Sequence, residues 1–307
     1  MEMDRIISLE SFAQDLELRG LVPVTRNVTL WTVKRYLRWA TLQGIEPEKG
    51  RREDILSYLA YLRSEGLKQP SIANNFSALS SWFDFLVNEG DLLLNPIPPL
   101  KKRYLKQYKD EIRSRQLISI EDAKKMVRAT IDTRDRAVLL LLLKTGIRRN
   151  ELVTLDLEDV SLRDQSLTLK PTGKRSNRTV FFDEEGSRSL IRWLSARETR
   201  YKKDGERALF ISVKGTRLQS AAIDILVRVA AERIGFHDHK SKKLDEKFTP
   251  HCCRHWFTTH LRRAGMPREF IQELRRDVRK EAIDIYDHIQ KDELKESYLA
   301  HVPRLGI

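Results

Sequence analysis

The chain has 307 residues, with 57 lysine and arginine residues against 44 aspartate and glutamate residues, which gives a formal net charge of +13. Hydrophobic residues make up 40% of the chain, which excludes wholesale disorder, and the length predicts two domains or one large domain. The longest apolar run, Ala137 to Leu143, is far shorter than a membrane-spanning helix, and the first residues lack the apolar stretch of a signal peptide.

The charge and the cysteines narrow the class of protein further. An excess of positive charge favours a polyanionic partner, most often nucleic acid, over the alternative of an ordinary basic enzyme. The two cysteines of the chain, Cys252 and Cys253, are adjacent, which excludes a disulfide framework and indicates a reducing compartment. We therefore expect a cytoplasmic protein with a nucleic-acid partner.

Amphipathic helices are predicted for the first part of the chain, because apolar residues recur there at helical spacing. Lys34, Arg35 and Arg38 lie mainly on the polar face of the second helix, where they could contact DNA. A face that contacts only solvent is the alternative for each helix taken alone. The predicted helices are Ser8–Arg19, Leu30–Gln43, Glu53–Glu65 and Ser71–Asn88.

A proline-rich break and a basic run follow these helices. Asn95 to Pro99 should end any helix, because proline lacks the N–H donor and restricts the residue before it. The next residues carry cations without helical periodicity, as a linker along a phosphate backbone would. We predict a helical domain over residues 1–95, a basic linker over 96–115 and a second domain over 116–307. The linker cations are Lys101, Lys102, Arg103, Lys106, Lys109, Arg113 and Arg115.

The second domain is predicted to contain helices and a β-hairpin. A capping-box pattern at Ser119 starts a helix that runs to about Ile131, and Ala137–Lys144 is hydrophobic enough to be the buried centre. Two β-prone runs, Ser166–Lys170 and Arg178–Phe182, flank turn residues and predict the hairpin. Further helices are expected at about 186–199, 221–234, 255–264, 267–274 and 292–300.

Two segments carry basic residues that suit chemistry on an anion. Arg148 follows a glycine turn and precedes Glu151 by three residues, so this carboxylate could hold the guanidinium and aim it outward. A surface ion pair is the alternative. Lys174 and Arg175 lie at the predicted hairpin tip, where a lysine could donate a proton to a bound substrate or be an ordinary exposed residue.

Two later segments add a histidine, an arginine and a tyrosine. His251 and Arg254 are three residues apart, so they share a face at the start of a helix. Tyr286 is surrounded by charged residues, although a core tyrosine is the alternative. The histidines and cysteines around residue 252 invite a metal interpretation, but structural zinc sites use paired ligands from two segments, and the chain has no second cysteine pair. We therefore expect no metal and treat Cys253 as a small core residue.

The order and spacing of these segments resemble the tyrosine recombinase family, which includes phage integrases and Xer-like recombinases. The pattern is Thr-Gly-x-Arg-x-x-Glu-Leu from Thr145, Gly-Lys on the hairpin, His-x-x-Arg from His251, and a tyrosine 32 residues after Arg254. The resemblance covers almost the whole chain. It implies a mainly α fold with a small β-hairpin or sheet, arranged as a two-domain, C-shaped DNA clamp with a helical, SAM-like core-binding domain and an α+β catalytic domain.

The resemblance also implies an activity, namely site-specific cleavage and rejoining of DNA through a 3′-phosphotyrosyl intermediate, without metal, ATP or another cofactor. The two arginines would hold the phosphate, the lysine would protonate the leaving 5′ oxygen, the histidine would accept a proton, and the tyrosine would be the nucleophile. Tyr298 is a second candidate nucleophile, but it stands 44 residues after Arg254, outside the family pattern. The implied catalytic residues are Arg148, Lys174, His251, Arg254 and Tyr286, with Glu151 as the supporting acid.

One position departs from the family pattern. Nine residues before Tyr286, where the family usually has Gly-His or sometimes tryptophan, this chain has Arg276-Asp277. An ionised aspartate cannot donate a hydrogen bond to a phosphate oxygen, so we expect Asp277 to orient Arg254 or His251, or Arg276 to take over the contact. Variants of this kind resemble those of archaeal integrases.

The implied partners are double-stranded DNA with a specific recombination site, three further copies in a homo-tetramer on DNA, and an accessory directionality factor. No membrane partner is expected, and the protein would act at the nucleoid in the cytoplasm. The terminal helix would dock on a neighbouring protomer or on its own domain, and the sequence leaves both open. Two other classes also stay open: a non-catalytic repressor or architectural protein, and another tyrosine transesterase such as a type IB topoisomerase or a telomere resolvase. The ordered motifs and their spacing favour the recombinase.

Overall fold

The computed structural model describes residues 2–105, 116–171, 179–200, 205–241, 243, 245–275 and 289–307, with side chains from residue 9 onward except at residue 200. The chain folds into two compact units, Met1–Ile112 and Arg113–Ile307. Within the described ranges, no helix is long and apolar enough to cross a membrane.

Four long helices build the described part of the N-terminal unit, as the apolar periodicity predicts. The second begins earlier than predicted, at Pro23, because proline fits the first turn of a helix, where its missing N–H donor is not needed. The first also begins earlier, at Glu2. These helices are α1 (Glu2–Leu18), α2 (Pro23–Leu42), α3 (Arg52–Ser64) and α4 (Gln69–Asn88), with a 3₁₀ turn at Pro47–Lys49.

An aromatic core holds the N-terminal unit together. Tyr36 of α2, Tyr58 of α3, and Trp82 and Phe83 of α4 are at most 1% exposed. The ring centroids of Tyr36 and Tyr58 lie 4.9 Å apart in an edge-to-face arrangement, which aromatic pairs prefer. Because these rings pack against the inner face of α2, the basic residues of that helix lie toward its outer face.

The region predicted as the start of a linker belongs instead to the N-terminal unit. A short helix, α5 (Ile97–Leu100), and a π-helical turn (Lys101–Leu105) follow the first prolines. Both end residues of α5 are buried in the aromatic core, and the carbonyl oxygen of Tyr104 accepts a hydrogen bond from the Gln69 side chain at 3.2 Å. The proline run therefore begins a helical segment, since proline is tolerated in a first turn.

The described part of the C-terminal unit combines helices with a small antiparallel sheet of order β1-β2-β3. The predicted helices are confirmed, and the one predicted to begin at His255 begins five residues earlier. The helices are α6 (Ile120–Ala129), α7 (Thr133–Thr145), α8 (Arg149–Val153), α9 (Glu184–Arg200), α10 (Ser220–Glu232), α11 (Pro250–Arg263), α12 (Arg268–Arg275) and α13 (Lys291–His301). The strands are β1 (Val160–Ser161), β2 (Ser166–Thr168) and β3 (Thr179–Phe181).

The strands β2 and β3 form the predicted hairpin, with Leu167 opposite Val180. The edge strand β1 is not predicted by its sequence, because two residues are too few to show an alternating pattern. The hairpin tip, residues 172–178, lies outside the described residues. Below the tip, the Lys170 ammonium pairs with the carboxylates of Asp156 at 3.0 Å and Asp159 at 2.8 Å.

The helix α7 is the buried centre of its unit, as its composition predicts. Residues 137–145 are all buried, and the helix packs against α9 and α11. The side chain of Asp132 caps its first turn by accepting a hydrogen bond from the Asp135 N–H at 3.0 Å. Every side chain on this helix near its end is therefore fixed by packing on all sides, including that of Lys144, which has no exposed surface.

The terminal helix α13 packs against its own unit. Its Leu294 and Tyr298 are buried in a cluster with Phe257 and Leu261 of α11. The Tyr298 hydroxyl donates a hydrogen bond to the carbonyl oxygen of Lys144 at 2.9 Å. In this single chain, α13 is therefore held by contacts with its own unit.

A buried charge cluster holds the segment that follows α13. The Lys144 ammonium lies 2.6 Å from an Asp183 oxygen and 2.5 Å from a Glu185 oxygen, and donates to the carbonyl oxygen of Pro303. The Glu185 carboxylate accepts the N–H groups of Leu305 at 2.9 Å and of the two residues after it. Burial alone would raise the pKa of Glu185, but these hydrogen bonds and the Lys144 charge lower it below its ordinary value.

Candidate active site

A cleft of about 1000 Å³ in the C-terminal unit brings predicted site residues together. Arg148 and Glu151 reach it from the turn after α7 and from α8, and His251 and Arg254 reach it from the first two turns of α11. The sequence separates these two pairs by about 100 residues, yet they line one surface. The predicted Lys174, Tyr286 and Asp277 lie outside the described residues.

Arg148 is held as its spacing from Glu151 predicts. Gly146 ends α7 with a left-handed φ of 60°, and the chain restarts at Arg148 as the N-cap of α8. The Glu151 carboxylate accepts the backbone N–H of Arg148 at 2.8 Å and lies 3.4 Å from its guanidinium. The Arg148 side chain stays 42% exposed, so its charge is available to an anion in the cleft.

Arg254 is held in a different way, by backbone carbonyls at the ends of two helices. Its side chain is only 5% exposed. One guanidinium nitrogen donates to the carbonyl oxygen of Gly146 at 2.6 Å, and another donates to that of Arg275, the last residue of α12. Helix C-termini carry partial negative charge, so these two ends stabilise the buried cation and fix the plane of its fork.

His251 lies one turn before Arg254 on α11, is exposed, and lines the cleft. The helix begins at Pro250, with Thr249 as its N-cap, whereas the sequence pattern predicted a start at His255. The prediction was wrong because it followed the apolar residues and gave too little weight to the Thr-Pro start signal. The earlier start is what sets His251 and Arg254 on one helical face.

Gly146 controls the distance between the two arginine segments. A Cβ at this position would lie 2.8 Å from the Phe257 Cγ, and the φ of 60° is one that alanine adopts only with strain. We expect Gly146→Ala to lower the free energy of unfolding by about 2–4 kcal/mol, with about 1–2 from the left-handed backbone and about 1–3 from overpacking. Covalent cleavage of DNA should fall as well, since Arg254 loses its carbonyl acceptor position.

Gly265→Ala is the matched control for that variant. Gly265 also has a left-handed φ, of 94°, but nothing lies within 4 Å of an added Cβ. The Gly265→Ala substitution should therefore lower the free energy of unfolding only through backbone strain, by about 1–2 kcal/mol, measured by urea denaturation. If the two variants lost equal amounts of unfolding free energy, the clash with Phe257 would not contribute to the effect at Gly146.

The cysteines and the neighbouring histidine are core residues. Burial raises the pKa of the Cys253 thiol well above its ordinary value, and burial lowers the pKa of His260. The His260 ring contacts Trp256, and its Nε2 lies 3.2 Å from the carbonyl oxygen of Ile118. Among the residues that the structure describes, no group of three or more histidine, cysteine, aspartate or glutamate side chains could hold a metal ion.

Tyr298, the second candidate nucleophile, is excluded by its position. Its side chain has no exposed surface, and its hydroxyl is engaged with the Lys144 carbonyl. Burial raises the pKa of the Tyr298 phenol well above its ordinary value, and the nearby charges of Asp183 and Glu185 raise this pKa further. Because this hydroxyl is enclosed and already donates to a backbone carbonyl, it is not accessible to a phosphate.

Three of the predicted DNA contacts of the N-terminal unit lie on α2, a helix without aspartate or glutamate. Lys34 and Arg38 are exposed on α2, and the Arg35 guanidinium lies 6.0 Å from the ring centroid of Trp31. Sequence reasoning missed Trp31, which is 61% exposed although its hydrophobic character suggested burial. Lys102 and Arg103 are exposed on the turn after α5, and Lys101 donates to Ser77. Lys106 and Arg175 lie outside the described ranges.

The cleft also contains residues that the sequence pattern did not single out. Among them are Arg228 of α10, His237 and Lys247. None stands in a recognisable motif, and the one available signal was the position of Lys247, four residues before His251. Side chains that reach a cleft from a loop leave no periodic pattern in the sequence.

Comparison with known families covers most of the chain. Residues 111–293 match the phage integrase family, and residues 9–89 match the phage integrase N-terminal SAM-like domain. Among curated relatives, the tyrosine recombinase XerC of Haemophilus influenzae is 32% identical over 250 residues, covering 80% of this chain and 79% of that protein. The tyrosine recombinase XerC of Bacillus pumilus is 29% identical and covers 89% of this chain and 88% of that protein.

Two solved structures share the fold. The Tn1549 transposon integrase in complex with circular intermediate DNA superposes with a TM-score of 0.68 at 20% identity, covering 93% of this chain and 97% of that one. A lambda integrase dimer bound to a core site gives a TM-score of 0.65 at 18% identity, covering 92% of this chain and 98% of that one. At such identities the agreement concerns the fold alone.

Proposed function

We propose, from the premise that this chain belongs to the phage integrase family and is a site-specific tyrosine recombinase, that its cleft is where one DNA strand is cut and rejoined. The observation that carries the proposal is the meeting of Arg148, His251 and Arg254 in one cleft, with Gly146 joining the two arginine segments. A non-catalytic repressor would have no need of a buried guanidinium aimed at such a cleft.

The two arginines supply the charge that the reaction requires. Attack on a phosphodiester concentrates negative charge on the phosphate oxygens in the transition state. A guanidinium offers a planar, permanently charged fork that matches those oxygens, and lysine matches them less well. Arg148 and Arg254 are both fixed before substrate binds, by Glu151 and by helix-end carbonyls respectively, so little reorganisation is needed.

We assign the remaining steps to residues that match the family motifs. The Tyr286 oxygen attacks phosphorus, an O–P bond forms, and the bond from phosphorus to the 5′ oxygen breaks. His251 accepts the phenol proton, and Lys174 donates a proton to the leaving 5′ oxygen. The products are a 3′-phosphotyrosyl link and a free 5′-OH. The energy of the broken ester is kept in the new one, so the reversal needs neither ATP nor a metal ion.

Asp277 has a supporting part in this proposal. A carboxylate in the place of the usual donor cannot bind a phosphate oxygen, so it would accept hydrogen bonds from Arg254 or His251. Arg276 would then provide the lost contact to the phosphate.

We assign the helical N-terminal unit to gripping the DNA duplex. The support is the outer face of α2, where Lys34, Arg35 and Arg38 are unopposed by any carboxylate of that helix. Lys102 and Arg103 extend the positive surface of the same unit. Cations that neutralise phosphates release counterions, so binding should weaken steeply as salt is raised.

The assembly that exchanges strands is proposed to be a tetramer. Recombination joins two duplexes and cuts four strands, so four copies of the cleft are required. An accessory protein would set the direction of exchange, and the work on DNA would take place at the nucleoid in the cytoplasm.

Capture of the covalent intermediate tests the proposal. Wild-type protein would be mixed with a pool of randomised DNA duplexes nicked near possible cleavage positions, so that the short released strand diffuses away and traps the adduct. We expect a denaturant-stable protein–DNA adduct whose digested peptide, identified by mass spectrometry, carries its nucleotide on Tyr286. No adduct, or a nucleotide on another residue, would reject the mechanism. Sequencing of the captured DNA also supplies the target site for later experiments.

A further inference from the structure

Within the described ranges, some basic side chains of the active-site cleft are paired with a carboxylate, and others, Arg228 and Lys247, are not. Arg149 in the cleft pairs with Asp224, and His239 lies 3.1 Å from Glu232. No hydrogen bond or ion pair joins the side chains of Lys247 or Arg228 to another residue within the described ranges. Arg228 is exposed, but Lys247 is half-buried, so its lack of a partner is the more unusual of the two.

The backbone on both sides of Lys247 is firmly held. The next residue, Phe248, is fully buried, and its N–H lies 3.1 Å from the Nδ1 of the buried His237. The carbonyl oxygen of Lys247 accepts a hydrogen bond from the Cys252 thiol at 3.6 Å. Lys247 therefore reaches the cleft from a backbone position that is hydrogen-bonded next to the start of α11.

The Lys247 side chain lines the same cleft as Arg148 and Arg254. An anion bound in the cleft would therefore be attracted by the lysine as well as by the two arginines. Lysine also tolerates a wide range of contact directions, whereas arginine binds oxygens through a fixed fork. The adaptable geometry of lysine therefore suits contact with a backbone phosphate better than the precise orientation of a transition state.

We propose that Lys247 is a DNA-binding residue of the active-site cleft, which contacts one backbone phosphate of the cleaved strand beside the scissile one. The inference rests on the proposed function, because it needs DNA in this cleft. It adds a contact outside the catalytic motifs. Its effect is on how the strand is held, and the bond-breaking step itself stays with the arginines and the tyrosine.

Substitutions at two lysines of the same loop, Lys247 and Lys240, test the contact. Lys247→Ala should weaken binding of the captured site about tenfold, as expected for a lost charged hydrogen bond, and should reduce the slope of log affinity against log salt by about one. Lys240→Ala is the matched control, because Lys240 is exposed and does not line the cleft. It should bind like the wild type, and Lys247→Arg should restore most of the affinity.

A scan with methylphosphonate, which is an uncharged replacement for one phosphate at a time, identifies the partner. At the phosphate that Lys247 contacts, wild type and Lys247→Ala should bind equally well, since the interaction is already lost. At the other positions the tenfold difference should remain. The inference is overturned if the difference persists at every position, or if Lys247→Ala and Lys240→Ala behave alike. Failure of the proposed function would look different, because the wild type would then form no adduct.

Discussion

Replacing Tyr286 by phenylalanine should abolish the covalent protein–DNA adduct and leave DNA affinity within a few-fold of the wild type. The change removes one oxygen atom, which is the atom proposed to form the bond to phosphorus, and keeps the ring. Binding is proposed to depend on the cations of α2 and of the cleft, and the substitution leaves those residues unchanged. The measurement is adduct yield on a denaturing gel, with affinity from a gel-shift titration of the captured site.

Tyr298→Phe is the control, because it makes the same chemical change at a position where the structure excludes chemistry. The Tyr298 hydroxyl is buried and donates to the Lys144 carbonyl, so its loss should cost about 1 kcal/mol of stability. Adduct yield should stay at the wild-type level at temperatures where the protein is folded. An adduct that persists in Tyr286→Phe and vanishes in Tyr298→Phe would refute the assignment of the nucleophile.

Replacing Lys144 by methionine should destabilise the C-terminal unit by about 3–5 kcal/mol, the usual cost of removing one partner from a buried ion pair. The lysine has no exposed surface, and its ammonium contacts two carboxylates. Methionine fills a similar volume, so the loss comes from the charges of Asp183 and Glu185 that stay behind. Lys125→Met, on the exposed side of α6, should cost less than about 0.5 kcal/mol.

The destabilisation by Lys144→Met should depend on pH. In the wild type the pKa of Glu185 is below its ordinary value of 4.5, so its contribution to stability is present above that value and declines as the pH falls through the lowered pKa. Without the lysine, burial raises the pKa of Glu185, and a protonated carboxyl costs less to bury. The difference between variant and wild type, measured by urea denaturation, should be largest near neutral pH and shrink toward pH 4. A difference that is independent of pH would contradict the ion-pair explanation.

Features of the fold that depend on neighbours in the sequence could be predicted. The pairing of Arg148 with Glu151 is of this kind, because three residues on a helix start bring the two side chains together. The hairpin of β2 and β3 and the burial of α7 also follow from local composition. In each case the signal and its partner lie within a few residues of one another.

Contacts between distant segments could not be predicted. The acceptor of Arg254 is the carbonyl of Gly146, 108 residues away, and a backbone carbonyl has no sequence signature at all. The Lys144 charge is balanced by carboxylates that lie 39 and 41 residues later in the sequence. Lys144 itself ends an apolar run, and nothing in that run indicates a buried ion pair. The nature of a buried partner depends on tertiary packing, which periodicity does not encode.

The boundary between the units shows a third kind of difference. Prolines and lysines at residues 96–105 have the composition of a linker, yet α5 buries both of its apolar ends in the aromatic core. Two apolar residues three positions apart were enough to dock the segment. Composition averages over such a pair, whereas packing depends on it.

The turn at Gly146 also bears on how this recombinase could be redirected to new target sites by directed evolution. Gly146 ends α7, accepts a hydrogen bond from the Arg254 guanidinium and lies against Phe257, so the backbone at this glycine sets the spacing of Arg148 and Arg254, the two arginines proposed to be catalytic. Libraries that vary residues 145–147 or Phe257 should consist mostly of inactive clones. Diversity placed on the outer face of α2 leaves that spacing intact, and selection there can change recognition without rebuilding the catalyst.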